Sequence, residues 1–401
     1  MKKILILGAG IEQAIAIREA KMLNYFVIAC DQNVNASGFE YADIFVVLDI
    51  HDAHAVLDVA RRYQIDGIFC HAVEIPHIVA VVAEQLGLPG LSPQVARRAT
   101  NKIERIIHLS ENGIPCAAFE IVKNEDELEQ KAAKIKFPFV LKPVDAAGAR
   151  GVQLVECADN LHKAYVEAIQ YSRARQVLLE EVLYGPEVST ESVVYKGKIH
   201  TFALADRNYA NARKFRPFFI EDGINYPTEL SSDLQEAIHS LVEKTITTLG
   251  IEFGAAKGDI IIDKGIPKII EMAARTSGGW FGAGSIPAAT GSNMLKPLLQ
   301  MSVGDEPDVE ALKATRNLGC AQRYIFPPDN GLVMGVSGFD DALKMPGVVM
   351  SEFFLPVVGE TINPVTSHAD RFGQIICTAA TRSAAIKLCE TAISKIKITM
   401  N

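Results

Sequence analysis

The chain has 401 residues, 49% of them hydrophobic and 22% charged, which is long for one domain at ~150 residues each and too apolar for a disordered protein. A formal net charge of -8 argues against a general nucleic-acid binder, because neutralising phosphates takes clustered Lys and Arg, and leaves room only for a local basic patch. Seven scattered cysteines without a Cys-x-x-Cys pair fit reduced thiols, and the first apolar run is too short to span a bilayer and lacks a signal-peptide pattern; the expectation is a cytoplasmic protein with no membrane partner.

In chain order, residues 4–7, 26–30, 44–47 and 67–70 read as short strands, with helix-like stretches such as 12–23 and 53–63 between them. Such alternation implies βαβ units and a mostly parallel sheet. A helix follows to about Asn112 and is closed by Gly113. From Phe119 the strands crowd together: 138–143 and 176–181 flank a glycine loop and a helix, and 189–194 pairs with 198–205 through a turn at Lys196-Gly197. A helix over 232–249 precedes strands 256–263 and 267–273, joined as a hairpin by Asp263-Lys264-Gly265, and another helix is expected near 293–301. Gly304-Asp305-Glu306-Pro307-Asp308 reads as a linker. The remainder reads as a small α+β unit ending in a helix over 383–394, whose Ala385, Leu388, Cys389 and Ala392 form a core face. No solenoid repeat or low-complexity run is present.

Gly8-Ala9-Gly10 after the first strand, with Asp31 ending the second, is similar to a dinucleotide fingerprint, but Gln13 stands where the third glycine belongs. The plainer reading is a tight strand-to-helix turn that can still present amides to an anion. The run Lys142-Pro143-Val144-Asp145-Ala146-Ala147-Gly148-Ala149-Arg150-Gly151-Val152 delivers a lysine from a strand into a loop of small residues, which can lie over phosphates with its amides unshielded; an ordinary hairpin is the alternative. Next, Glu180-Glu181 end a strand, Leu183 lies on an apolar crossing and Glu187 enters the following strand, a layout suited to an adenine edge and ribose hydroxyls, or simply a solvated acidic strand end. Asp259 and Glu271 lie on the two arms of one hairpin, which can set two hard oxygen ligands side by side for a magnesium ion and phosphate oxygens. Arg275, four residues past Glu271, can hold a carboxylate or a transferring phosphoryl group.

Signals on the substrate side are thinner. Arg207, Arg213, Lys214 and Arg216 form a basic stretch that meets an anion or is merely solvated. Thr276-Ser277-Gly278-Gly279-Trp280-Phe281 is a glycine turn followed by aromatics, placed to line an acceptor pocket. The pairs His71/His77 and His51/His54 lack a His-Glu-x-x-His pattern and read as core or surface histidines, and Cys116 reads as a small buried hydrophobe.

Together, the lysine-bearing glycine loop, the acidic hinge and the Asp259/Glu271 hairpin resemble, in order and spacing, the ATP-grasp superfamily over essentially the whole chain, and its carboxylate–amine ligases in particular. These include relatives of the amino-acid ligases, the purine-pathway ligases and the carbamoyl-phosphate synthetase large subunit. The resemblance implies an α/β chain with an N-terminal Rossmann-like parallel-sheet domain over 1–112. A central ATP-grasp fold over 113–305 would follow, with a small mobile lid over about 115–183, and then a small C-terminal α+β domain over 306–401. It implies that Lys102, Lys142, Ala147, Gly148, Gly151, Glu180, Glu181, Leu183 and Glu187 bind ATP, and that Asp259 and Glu271 hold Mg2+ or Mn2+. Arg275 and Lys142 would be catalytic. Arg207, Arg213, Arg216, Ser277, Gly278 and Gly279 would face the substrate. The implied activity joins a small carboxylate to an amine through an acyl phosphate, releasing ADP and phosphate, in a homodimer acting on small molecules. Two departures stand out: Ala273 takes the place where many members have Asn, and the first metal acid is the shorter Asp259. A purine-type ligase or a carboxylase component phosphorylating formate or bicarbonate, and a nucleotide-binding protein without catalysis, are the competing readings.

Overall fold

The computed structural model describes residues 1–401. Its N-terminal sheet has the order Ile44–Val47, Phe26–Asp31, Lys3–Leu7, Gly67–Cys70, with every neighbouring pair parallel. Ile4, Leu5, Ile6 and Leu7 are fully buried, as an unbroken apolar strand must be when helices cover both faces of a parallel sheet. At the first turn Gly8 has φ +92°, and the Asp31 carboxylate accepts hydrogen bonds from Ala9 N (2.8 Å) and Asn33 N (2.9 Å). Asp31 is thus committed to closing the strand-to-helix turn, and the plainer reading of Gly8-Ala9-Gly10 holds.

A second, four-stranded sheet carries Phe119–Val122, Val177–Glu181, Phe139–Pro143 and Gln153–Val155 in that order, all antiparallel. The helices Leu128–Ile135 and Leu161–Ile169 close its core around Phe139, Leu141 and Leu179. The largest sheet has eight antiparallel strands in the order Ile266–Ala273, Phe253–Asp263, Glu187–Tyr195, Lys198–Asn208, Gly223–Tyr226, Gly319–Ile325, Gly373–Ala379, Val348–Phe353. Three strands of the C-terminal stretch therefore continue the central sheet. The terminal helix Arg382–Lys395 packs on it through Ala385, Cys389 and Ala392, the core face expected from its sequence.

Local signals set several boundaries. Helix Ser232–Leu249 starts where the Ser231 hydroxyl accepts from Leu234 N and stops at Gly250, φ +77°. Helix Lys102–Glu111 starts where Asn101 Oδ1 accepts from Ile103 N (3.0 Å) and Glu104 N (3.1 Å), which fixes where Lys102 enters the site. His71 is a core histidine: its Nδ1 lies 2.9 Å from Thr276 Oγ1, and burial pushes its pKa down to about 4. Cys116 is half-buried rather than buried, because it sits at the rim of a shallow groove between Ser110 and Glu181. No helix is long and apolar enough to cross a membrane.

Candidate active site

The four-stranded sheet and the central sheet face each other across a cavity of about 1140 Å3. Its floor is the hairpin of Phe253–Asp263 and Ile266–Ala273, whose register sets Asp259 directly opposite Glu271. Asp259 Oδ1 accepts from Ser189 Oγ (2.8 Å), and its Oδ2 meets Arg207 Nη1 (2.8 Å) and Lys257 Nζ. Glu271 pairs with Arg105 Nη2 and Lys257 Nζ, each at 3.3 Å. Burial works against ionising Glu271, yet Lys257, Arg105 and Lys102 outweigh it and hold the carboxyl well below its usual range. Asp259, buried likewise, is lowered by Arg207 and Lys257.

Across the cavity Lys142 Nζ lies 2.5 Å from Glu180 Oε2, both side chains one-tenth exposed. Lys102 donates to Ala146 O at 2.5 Å, and burial pushes its pKa down to about 8. Between them runs the glycine loop. Gly148 (φ +65°) and Ala149 (φ +59°) both adopt left-handed backbone, and Gly148 O accepts from His368 N at 3.0 Å, so the loop rests on the C-terminal stretch. Ala147 and Gly148 line the cavity, whereas Gly151 does not. A Cβ at Gly151 would lie 3.1 Å from Ala168 Cα and 3.0 Å from the Tyr171 ring, so this glycine serves loop packing and not the nucleotide surface.

Glu180, Glu181 and Leu183 line the wall where the chain crosses from one sheet to the other, followed by Glu187. At Gly185 any Cβ would stand 2.0 Å from Ile262 O, so the crossing requires glycine there. Glu187 accepts from Tyr209 Oη at 2.9 Å, and burial raises its pKa.

Arg275 lines the cavity, its Nε held by Glu74 Oε2 at 2.5 Å. Ser277, Gly278, Gly279 and Phe281 line it as well. Thr276 instead turns to His71, and Trp280 is buried with Nε1 on Glu352 at 2.5 Å. The turn is held from beneath by two carboxylates: Glu191 accepts from Ser277 N (3.1 Å), and Glu12 accepts from Trp280 N (2.7 Å) and Gly279 N (3.3 Å). Burial pushes both carboxyls up to about 7.

Arg207 reaches the cavity, but Arg213 and Arg216 do not. Both are exposed, and Arg216 pairs with Glu156 at 3.2 Å, because the chain here runs along the edge strand Gln153–Val155, where Leu154 N donates to Pro217 O at 2.8 Å. Sequence reasoning missed Lys257 and Arg105, although Lys257 is two residues before Asp259 on the same strand face and Arg105 one helical turn after Lys102. It also missed Tyr324, His368 and Arg371, which line the cavity from the C-terminal stretch, with Arg371 stacked 3.5 Å over the Tyr324 ring. No local signal marks these three.

A cleft between two sheets, roofed by a lysine-bearing glycine loop and floored by paired carboxylates among cations, can hold the phosphates of a nucleotide. Comparison with known proteins agrees. The family model described as D-ala D-ala ligase C-terminus matches residues 108–276, and that described as L-amino acid ligase C-terminal domain 2 matches 323–401. The L-amino acid ligase from Bacillus licheniformis superposes with a TM-score of 0.84 at 22% identity, covering 100% of this chain and 99% of that one. The N5-carboxyaminoimidazole synthetase from Staphylococcus aureus, complexed with ADP, superposes with a TM-score of 0.75 at 16% identity, covering 98% and 97%. A formate-dependent phosphoribosylglycinamide formyltransferase from Synechococcus sp. is 34% identical over 46% of this chain and 48% of its own length. The chain spans about half the length of such curated relatives. Residues 108–276 and 323–401 are thus similar to those two ligase families, and the whole chain has the fold of the ligases it superposes on.

Proposed function

We propose that this protein is an ATP-dependent ligase that activates a small carboxylate as an acyl phosphate and couples it to an amine, forming a C–N bond. The observation that carries the reading is the register pairing of Asp259 with Glu271 beneath Lys142, Lys102 and the glycine loop, in one cavity that also holds Arg275. Lys142 and Lys102 neutralise the phosphates, Ala147 and Gly148 cover them, and Glu180, Glu181 and Leu183 receive the adenine with Glu187 at the ribose. The carboxylate pair fits one hard cation, since each Glu271 oxygen has two lone pairs and meets a single cation here. Mg2+, or Mn2+ in its place, would neutralise charge on the transferring phosphoryl group when bound.

Arg275 orients the acid so that a carboxylate oxygen attacks the γ-phosphorus; the bond to the bridging oxygen breaks and ADP leaves. With the loop and His368 excluding water, an amine near Ser277 to Gly279 attacks the acyl carbon and phosphate leaves. The domain division at 112/113 and 305/306, a lid over 115–183, a homodimer and a cytoplasmic setting belong to the same reading. Hydroxylamine trapping tests it. Incubation with MgATP, a panel of amino acids and other small acids, and hydroxylamine is expected to give a hydroxamate with stoichiometric ADP; AMP in place of ADP overturns the mechanism. The 34% identity with a formate-dependent transformylase over 46% of this chain favours formate as a second candidate acid, and hydroxamate from formate alone would decide for it.

A further inference from the structure

Lys257 occupies the centre of the acid pair. It lies two residues before Asp259 on the same strand face, and its Nζ contacts Asp259 Oδ2 while standing 3.3 Å from Glu271 Oε2. The other oxygens are held from outside this gap: Asp259 Oδ1 by Ser189 Oγ, and Glu271 Oε1 by Arg105 Nη2. Directly across the hairpin from Lys257 is buried Ala273, whose methyl group offers no donor to a metal and leaves the lysine stem room. A divalent ion lodged between the two carboxylates would need their inner oxygens at roughly 2.0–2.1 Å. A fixed ammonium already holds both.

We propose that Lys257 stands in for one of the two divalent cations that facing carboxylates and a nucleotide would otherwise share, so that this site takes a single divalent ion, on the phosphate side of the pair. The inference rests on the nucleotide-binding reading above. Lysine supplies one positive charge that is never recruited from solution, whereas a second metal would supply two and depend on its concentration. Nucleotide affinity should accordingly follow the first power of metal concentration. The side chains opposite each other, Lys257 and Ala273, are what set this stoichiometry.

The test counts ions. Mn2+ is titrated into the full chain with a saturating non-hydrolysable ATP analogue and followed by electron paramagnetic resonance, while equilibrium dialysis measures the bound analogue separately. The expected result is one Mn2+ per chain in the native protein and two in Lys257→Ala, where Glu271 Oε2 is freed and Asp259 Oδ2 keeps only Arg207. Lys257→Gln serves as the second variant if the alanine form fails to give a native circular dichroism spectrum, and two ions are expected there too. Two Mn2+ in the native chain, or one in every folded variant, overturns the role given to Lys257 and leaves the nucleotide reading standing. Absence of bound analogue in the dialysis arm removes both.

Discussion

Glu271→Gln keeps the side chain's volume and one acceptor oxygen but removes the charge that Lys257 and Arg105 face. Arg105 is nearly buried and keeps its 2.8 Å bond to Ala99 O, so the stability cost should stay near ~1–3 kcal/mol. Turnover should fall roughly 10²–10³-fold, as when one charge-stabilising group is lost from a preorganised site. Steady-state kinetics beside a thermal melt checks this, and native turnover in a folded variant would take Glu271 out of the chemistry. Lys102 makes a separate prediction, in pH. Burial pushes its pKa from 10.5 down to about 8. The sign for stability follows from proton counting: below about 8 both states are protonated and the cost of the buried charge is complete. It fades as pH rises from about 8 to 10.5, where only the unfolded chain holds the proton. Binding runs the opposite way, because a phosphate needs the ammonium form. The Kd for ADP should therefore rise up to about 25-fold between roughly pH 7.5 and 9.5. Calorimetry on the native chain and on Lys102→Arg, which stays charged, reads the difference, and parallel profiles in the two proteins would sink the assignment.

The short turn His368–Asp370 holds the glycine loop from the C-terminal side. Asp370 accepts from Thr366 N and Ser367 N, both at 2.8 Å, and the Ser367 hydroxyl accepts from Ala369 N. That turn presents the His368 amide to Gly148 O. Asp370→Ala removes the cap and should cost about 1–2 kcal/mol. It should also speed amide exchange at residues 147–150, read by hydrogen-exchange mass spectrometry, while leaving the helix Ser232–Leu249 protected; unchanged exchange in the loop would mean the turn does not hold it. Elements fixed by their own residues were legible from sequence. The helix Ser232–Leu249 is flanked by its own serine cap, Ser231, and its closing glycine, Gly250, and Asp263-Lys264-Gly265 announces the hairpin that aligns Asp259 with Glu271. Strand ends were less so. The strands Phe253–Asp263 and Glu187–Tyr195 run past the apolar runs that suggested them, because Phe253 pairs with Tyr195 and Ile261 with Glu187 across the sheet. Such pairing carries the strands through Gly254 and Glu187, residue types with no strand preference of their own.

At the scale of the whole molecule, the central sheet ties the first third of the site to the last quarter of the chain. Gly223–Tyr226 pairs with Gly319–Ile325, and that strand pairs with Gly373–Ala379. Composition at residues 304–308 suggests a boundary, but a strand that crosses it into a shared sheet leaves no local trace, which is why Tyr324, His368 and Arg371 were not foreseen in the site. Ala321, Ile375, Ile376 and Cys377 are fully buried on this extension, and Arg371 reaches back to donate to Glu221 O at 2.6 Å. Removing residues 306–401 would leave Gly223–Tyr226 as an open edge of four residues and bare the apolar face beside it. The cavity would lose the ring–guanidinium stack and the support of Gly148 together. A 1–305 fragment should thus lack a cooperative melt, bind the dye ANS as exposed apolar surface does, and lose ADP affinity by at least about tenfold. Differential scanning calorimetry and ADP titration of the fragment against the full chain measure both effects. A fragment that melts cooperatively and binds ADP as tightly as the full chain would make 306–401 an appendage, with no share in the site.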